Sequence, residues 1–590
     1  LDKGEENMRK TKIVCTLGPS TDNPEVIRGL IERGMDVARL NFSHGTRREH
    51  LSRILMVREI AGAAGRHIAL MLDTRGPEIR TGSLKKGRVT LVNGQRFILT
   101  TREIVGDENQ VQVSFEGFPH EVKPGHRILL SDGFIQLIVE EIVEDRDVIC
   151  RVVFGGVLGE RKGVNIPGVR TKMPYMNDQD AADISFGLEN GVDIIAASFV
   201  TSPEDIIQVR QLVETHQGVV DIIAKIESRD GVERLDDIIK MADGVMVARG
   251  DLGVDIPTEE VPLVQKAIIR RCNELGKVVI IATQMLESMI NNPRPTRAEA
   301  SDVANAIFDG ADAIMLSGET AAGRYPLEAV ETMARIACRT EKVLPYDKML
   351  LNRGLASNAT VTDAISYATC ATAENLGIST IITATQSGST ARMVSKHRPR
   401  SKIIAATPDE RVARRLNLVW GVIPLLVKRS LGTDHMIEES VNAGVKSGLI
   451  REGEMVVITA GVPTGVPGTT NLLKVHIVAE VLLSGTGIGE GSASGTVRLV
   501  EKPDEHTYFD EGDILVARAT NADFVPLFQK AAAVLVEEGG LTSHAAIVGL
   551  SLGVPVVVGV EGAMEKLKDG TQVTVDTARG QVYKGLIKVL

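Results

Sequence analysis

Three short stretches place charged or polar side chains two residues apart just after an apolar run: RLNFS at 39–43, KIE at 225–227 and RGD at 249–251. Side chains two apart on an extended strand point to the same face. Arg39, Asn41 and Ser43 therefore form one set, Lys225 and Glu227 a second, and Arg249 and Asp251 a third. Asp73, in LDTRGPEIR, closes another apolar run. Cations beside carboxylates suit an anionic substrate held together with a divalent metal. Mg²⁺ takes one or two carboxylates plus substrate oxygens, and phosphoryl transfer needs positioned positive charge more than a covalent nucleophile. Glu227 and Asp251 are the natural metal ligands, and Lys225, between apolar neighbours, offers a compact charge to a moving phosphoryl group. Singly, each stretch has an ordinary reading: a surface ion pair, an accidental tripeptide, a helix cap. Their coincidence sets them apart.

The elements that must hold these residues recur along the chain. Eight apolar, often β-branched runs begin near residues 13, 37, 68, 193, 222, 244, 278 and 313, each followed by a polar cluster and a stretch of helical spacing. Strands apolar on both faces and separated by helices imply a parallel sheet covered by helices, and eight of them predict a closed (β/α)8 barrel, a TIM barrel. Chemistry in that fold sits at the carboxyl ends of the strands. Seven of the eight runs end in charged or hydroxyl residues.

About 120 residues separate the third and fourth runs, where a handful is usual. Alternating runs such as RVTLV, RILLS and FIQLIVEEI, with DG, NG and PG turns, predict an inserted small β-barrel or sandwich that could close over the mouth as a lid. Beyond residue 345 five further runs, near 380, 402, 421, 454 and 474, alternate with helical stretches and predict an α/β doubly wound third domain. Its loop TATQSGST, residues 383–390, sets hydroxyls and a glycine before a helix: Thr383, Thr385, Ser387, Gly388, Ser389 and Thr390. That is a phosphate-binding arrangement, although ordinary helix capping uses the same residue types. The run GTGIGEGSASG, 485–495, reads as a flexible hinge. A last α/β unit of about 100 residues follows, with His544 between a glycine-rich turn and a helix start. The expected domains are 8–81 plus 175–345, 82–174, 346–485 and 486–590.

With a net charge of −10, 43% hydrophobic and 24% charged residues, the 590-residue chain has the balance of a soluble globular protein. It is expected to have no nucleic-acid partner, because polyanion binding needs a clustered basic excess and KHRPRSK at 396–402 is the one candidate. Five scattered cysteines without a CxxC pair predict neither a disulfide framework nor a zinc site, and fit a reducing cytoplasm. No run of about 18 apolar residues is present, so no membrane association is expected. The seven residues before Met8 read as an alternative start or a tag remnant.

RLNFSHG, LDTRGPEIRTG, KIES, MVARGDLG, ATQMLESM and RPTRAEASDVANAIFDGADAIMLSGETA, with the phosphate loop, resemble the pyruvate kinase family in order, spacing and wording from residue 8 to about 479. The resemblance implies phosphoryl transfer from phosphoenolpyruvate to ADP, giving pyruvate and ATP, with Mg²⁺ (or Mn²⁺) and K⁺. It implies that Arg39 binds the phosphate, that Asn41, Ser43, Asp73 and Thr74 ligate K⁺, and that Glu227 and Asp251 hold Mg²⁺. Lys225 would stabilise the transferring phosphoryl, and Ala248, Arg249, Gly250 and Asp251 with Thr283 would seat the substrate carboxylate. Thr283, Ser317 and Glu319 would serve enolate protonation, while Asn41, Ser43, His44, Arg80 and Lys162 would face the nucleotide. Glu78, in GPEIR, is the family's mark of K⁺ dependence. The loop GVPTGVPGTTN lacks the Arg and Trp that grip a second effector phosphate, so the resemblance implies a sugar monophosphate or AMP as effector, and a cytoplasmic homotetramer as the assembly. Arg75 and Ser228 replace a usual lysine and asparagine.

The terminal unit resembles the swivelling phosphohistidine domain of phosphoenolpyruvate synthase and pyruvate phosphate dikinase, which makes such an enzyme the rival reading. In those proteins an Ala-Arg pair follows the histidine, where this chain has Gly549 and Leu550. His544 is therefore expected to be an inherited feature without phosphoryl chemistry.

Overall fold

The computed structural model describes residues 8–169, 171–353, 359–429, 432–462, 468–489, 491–504 and 508–587. The chain divides into two compact units, one of residues 1–367 and 385–426 and the other of 368–384 and 427–590.

The first unit is built on a closed parallel barrel. Its strands are β1 (Lys12–Leu17), β2 (Val37–Asn41), β3 (Ala69–Asp73), β4 (Ile194–Ala197), β5 (Asp221–Ile226), β6 (Gly244–Ala248), β7 (Val278–Ala282) and β8 (Ala313–Leu316), each pairing with its sequence neighbours and β8 closing on β1. They are buried almost throughout because helices cover the outside, which is why they read as continuous apolar runs rather than alternating ones. An aspartate precedes four of them: Asp36, Asp193, Asp243 and Asp312. Each carboxylate accepts the N–H of the second residue of an adjoining strand, from Ile13, Leu70, Ile222 and Val279, at 2.8–2.9 Å. The amino-terminal rim is thus satisfied by side chains, as buried backbone donors require.

Between β3 and β4 lies the inserted domain, with a six-stranded sheet, a two-stranded sheet and a core that includes Phe97, Leu99, Phe118 and Leu137. It is a pair of open sheets rather than a closed barrel. Its two connections run side by side: Arg80 bridges Gly163, and Thr81 N–H donates to Lys162 O at 2.8 Å. In the same unit, Lys402–Thr407 and Val422–Leu426 pair in parallel.

In the second unit Thr380–Ala384 pairs in parallel with Met455–Gly461, which turns back antiparallel onto Thr470–Ile477. The last strand therefore departs from a wholly parallel doubly wound order. The terminal sheet has eight strands and starts at Val481–Ser484, paired with Gln581–Lys584.

The expected hinge at 485–495 is not one. Thr486–Ile488 and Ser492–Leu499 are strands of that sheet, and the glycines allow backbones to touch. A Cβ on Gly487 would lie 1.8 Å from Thr577 O, and one on Gly495 2.2 Å from Gly512 O. Composition alone does not separate a glycine that frees a chain from one that lets two chains meet.

Candidate active site

The barrel mouth collects its charges around one carboxylate. Asp73, 1% exposed at the end of β3, takes Arg39 Nε on Oδ2 at 2.6 Å and Lys225 Nζ on Oδ1 at 3.0 Å. Arg39 also donates to Thr16 Oγ1 at 2.9 Å. Lys225 completes its three donors with Ser198 Oγ at 2.6 Å and Glu227 Oε1 at 3.1 Å. Burial would lift the Asp73 carboxyl, but the two cations more than reverse this and hold it below the usual carboxylate range. Burial alone would favour a neutral Lys225, and Asp73 with Glu227 override it, so the ammonium is locked in its charged form.

Glu227 and Asp251 behave differently. Burial pushes Glu227 up to about 7, with Asp251 adding to the effect and Lys225 opposing it. Asp251 is raised too, chiefly by burial, and shares a hydrogen bond with Glu227. Two buried carboxyls that resist ionising together are the donor set a divalent cation fits, since the ion supplies the missing positive charge. Among the described residues no group of three or more His, Cys, Asp or Glu is arranged for a metal.

Asn41 and Asp73 are register partners on β2 and β3. Thr74 follows directly, its Oγ1 accepting Ser198 N–H at 3.0 Å, and Ser43 N–H donates to Asn41 Oδ1 at 3.1 Å. An all-oxygen set with one carboxylate suits a hard monovalent cation.

The strand-phase reading fails at two places. β2 ends at Asn41, so Ser43 lies in a turn, and β6 ends at Ala248, so residues 249–255 form a short helix. Arg249 consequently does not share a face with Asp251 as a strand residue. Its guanidinium is committed to Asp302 at 2.6 Å and to Thr283 O at 2.7 Å, which leaves Arg39 and Lys225 as the central cations. The backbone of that helix start does reach the mouth, where Gly250 N–H donates to Thr283 Oγ1 at 2.8 Å. Thr283 and Gln284 have φ of +66° and +56°, a left-handed strain that clusters at functional sites.

Glu319 accepts N–H bonds from Leu286 at 3.0 Å and Ser317 at 2.7 Å, and burial raises its carboxyl above the ordinary value. The Ser317 hydroxyl beside it is buried without a partner. His44 is lowered first by burial and then by Arg80, Arg39, Arg75 and Lys162, which marks a cationic corner reaching onto the inserted domain. Arg80 pairs with Glu78 at 2.5 Å. Glu78, Asn165, Phe199, Glu227 and Asp255 line a cleft of about 300 Å³ between that domain and the barrel.

The 383–390 loop leads into the helix Ser389–Lys396. Thr385 Oγ1 accepts Gly388 N–H at 2.9 Å and Ser387 Oγ accepts Ser389 N–H at 3.4 Å, so two of its hydroxyls serve the backbone of the turn entering that helix. Arg392 on that helix grips Asp221 at the start of β5, the opposite end from Lys225. In GVPTGVPGTTN, residues 463–467 lie outside the described residues. Ser198 and Thr16 escaped the sequence reading. ASF was visible as a polar strand end, but no spacing rule links Ser198 to Lys225, 27 positions away.

His544 opens the helix His544–Leu552 behind the Ser543 cap, its Nδ1 3.0 Å from Thr520 Oγ1 and its ring edge-on to Phe528. A Cβ on Gly549 would meet Val556 Cγ2 at 2.2 Å, so the position where the resembled enzymes carry the first residue of their pair is closed here by packing.

Comparison with known proteins agrees along the whole chain. The pyruvate kinase barrel domain matches residues 8–330, the pyruvate kinase alpha/beta domain 363–476, and the mobile domain of PEP-utilising enzymes 509–580. Pyruvate kinases of Bacillus licheniformis and Geobacillus stearothermophilus are each 51% identical, over 99% of this chain and 100% of theirs. A pyruvate kinase from Staphylococcus aureus is 46% identical over the same shares. Among solved structures, a pyruvate kinase from Cryptosporidium parvum aligns with a TM-score of 0.76 at 38% identity, covering 81% of this chain and 98% of that one.

Proposed function

The chain belongs to the pyruvate kinase family and transfers the phosphoryl group of phosphoenolpyruvate to ADP; from that premise we propose how its own residues divide the work. One observation carries the assignment: Lys225 Nζ sits between Asp73, Ser198 and Glu227 with Arg39 on the far side of Asp73. Arg39 binds the substrate phosphate. Lys225 compensates the charge that spreads over the phosphoryl oxygens as the bond to the enolate breaks.

Glu227 and Asp251 hold Mg²⁺ or Mn²⁺, and Asn41, Ser43, Asp73 and Thr74 hold K⁺. The bound cations supply positive charge on the substrate oxygens. Backbone from Ala248 to Asp251 and the Thr283 hydroxyl seat the carboxylate, for which the hydroxyl gives up its bond to Ala282 O, 2.7 Å from Oγ1. After transfer the enolate takes its proton on the Thr283 side, a step served by Ser317 and Glu319; the unpartnered Ser317 hydroxyl and the raised Glu319 carboxyl support that reading. Asn41, Ser43, His44, Arg80 and Lys162 face the nucleotide. The loop 383–390 takes a sugar monophosphate or AMP as effector, and the enzyme works as a cytoplasmic homotetramer. No helix of the described residues is long and apolar enough to cross a membrane. We divide the chain at 8–81 plus 175–345, 82–174, 346–485 and 486–590, a division supported by the spans of the three family matches.

A coupled assay for pyruvate formation, run with and without K⁺, tests the assignment. We expect K⁺ to activate, and Lys225→Met to lower kcat by about 10³-fold. Equal rates with and without K⁺ would remove the monovalent site, and a Lys225→Met enzyme with near-normal turnover would remove the central role of Lys225.

A further inference from the structure

One turn at the end of β4 touches Asp73, Thr74, Lys225 and Glu227 without belonging to any motif. Ser198 is 1% exposed. Its Oγ accepts from Lys225 Nζ at 2.6 Å and donates to Thr74 O at 2.7 Å, with Asp73 Oδ1 at 3.2 Å as the more distant alternative. Its N–H donates to Thr74 Oγ1 at 3.0 Å. The next residue, Phe199, has φ +53°, and its N–H donates to Glu227 Oε2 at 2.6 Å. A bulky residue in the left-handed region is rare, so surrounding structure must enforce it. Gly76 closes the arrangement from the other side: at φ +78° its missing Cβ would lie 2.9 Å from Ser198 Cβ and 3.0 Å from the Phe199 ring.

The hydroxyl inventory makes the consequence specific. A serine has one proton, here given to a main-chain carbonyl, so toward Lys225 it can only accept. Asp73 and Glu227, the other two partners of the ammonium, are carboxylates with competing partners of their own. Ser198 is the neutral partner, fixed by backbone on both sides. It therefore fixes where the ammonium sits without altering the net charge of the site, while the adjacent N–H fixes Glu227.

We propose that Ser198 is a positioning residue for phosphoryl transfer, its hydroxyl tethering Lys225 to the Thr74 carbonyl while the strained Phe199 turn orients Glu227. The inference rests on the role given to Lys225 above and adds the device that aims it. Aim matters more for the transition state than for ground-state binding, because a misplacement of about 1 Å costs about 10²-fold in rate.

The test uses the full-length enzyme and separates binding from turnover. Phosphoenolpyruvate binding is measured by calorimetry without ADP, alongside kcat and a thermal melt, for wild type, Ser198→Ala and Ser198→Cys. Ser198→Ala is expected to lower kcat by about 10²-fold and to leave the dissociation constant for phosphoenolpyruvate within about threefold and the melt unchanged. Ser198→Cys keeps the size with a weaker acceptor and should recover part of the loss. A Ser198→Ala enzyme within twofold of wild-type kcat overturns the proposal, as does a parallel loss of binding and turnover. Should the alanine variant not fold, the cysteine variant decides: reduced kcat with intact binding supports the role, and unchanged kcat ends it. Failure of the Lys225 assignment is seen separately, as turnover that survives Lys225→Met.

Discussion

At the scale of single residues, the Glu227–Asp251 pair gives the site its pH behaviour. Glu227 is lifted from an ordinary carboxyl value to about 7 by burial. Between about pH 4.5 and 7 the folded, metal-free protein thus keeps a proton that the unfolded chain has lost. The stability this contributes is full at low pH and fades as pH rises through about 7. A divalent cation must displace the same proton, so its affinity rises with pH until the pair has ionised. Calorimetric titration with Mn²⁺ in buffers of differing ionisation enthalpy is expected to register proton release at pH 6 and almost none at pH 8. Equal release at both would mean that the pair does not hold the metal. Asp73 contrasts with it: a carboxylate equally buried stays charged because Arg39 and Lys225 touch it directly.

At the scale of elements, the ends of the barrel strands have separate tasks. The carboxyl ends carry the mouth, and the amino ends are clamped by arginines from the 385–426 segment. Arg392 and Arg415 share Asp221, Arg414 takes Asp193 at 2.8 Å, and Arg398 takes Asp312 at 2.7 Å. Burial would raise Asp221, and the two guanidiniums instead hold it below its usual range. Asp221→Asn leaves both arginines in a largely buried setting without their counter-charge, and such a loss costs on the order of 3 kcal/mol. We expect the first transition of a thermal melt to fall by several degrees, and an unchanged melt would show that the clamp carries no stability.

At the scale of the whole molecule, every residue assigned to catalysis lies in the first compact unit, and the terminal sheet is a separate addition. The Cryptosporidium parvum enzyme aligns over nearly all its length while accounting for 81% of this chain. A chain truncated after Ala479 should therefore retain pyruvate formation. It should lose stability, because Ile477 packs with Tyr583 and Ile587 of the terminal segment. His544→Ala should leave kcat near the wild-type value, since His544 belongs to the second compact unit and every residue assigned to catalysis belongs to the first. A large drop in kcat from that substitution would instead give His544 a part in the reaction.

The sequence by itself determined the barrel and the members of its mouth. Continuous apolar runs ending in polar clusters can be buried on both faces in few other ways, and RLNFS, LDTRG, KIE and RGD each name their residues within a local window. Tertiary structure alone decided the partners. Ser198 meets Lys225 27 positions on, and Arg249 turns to Asp302 53 positions on, because barrel closure sets the end of one strand beside the next strand and the helices after it, which no spacing encodes. It also decided which glycines loosen the chain and which let backbones touch, as at Gly487, where the backbone facing it comes from 90 residues further on. Patterns within a strand or helix follow from local geometry, whereas a hydrogen bond across the mouth depends on closure of the whole barrel.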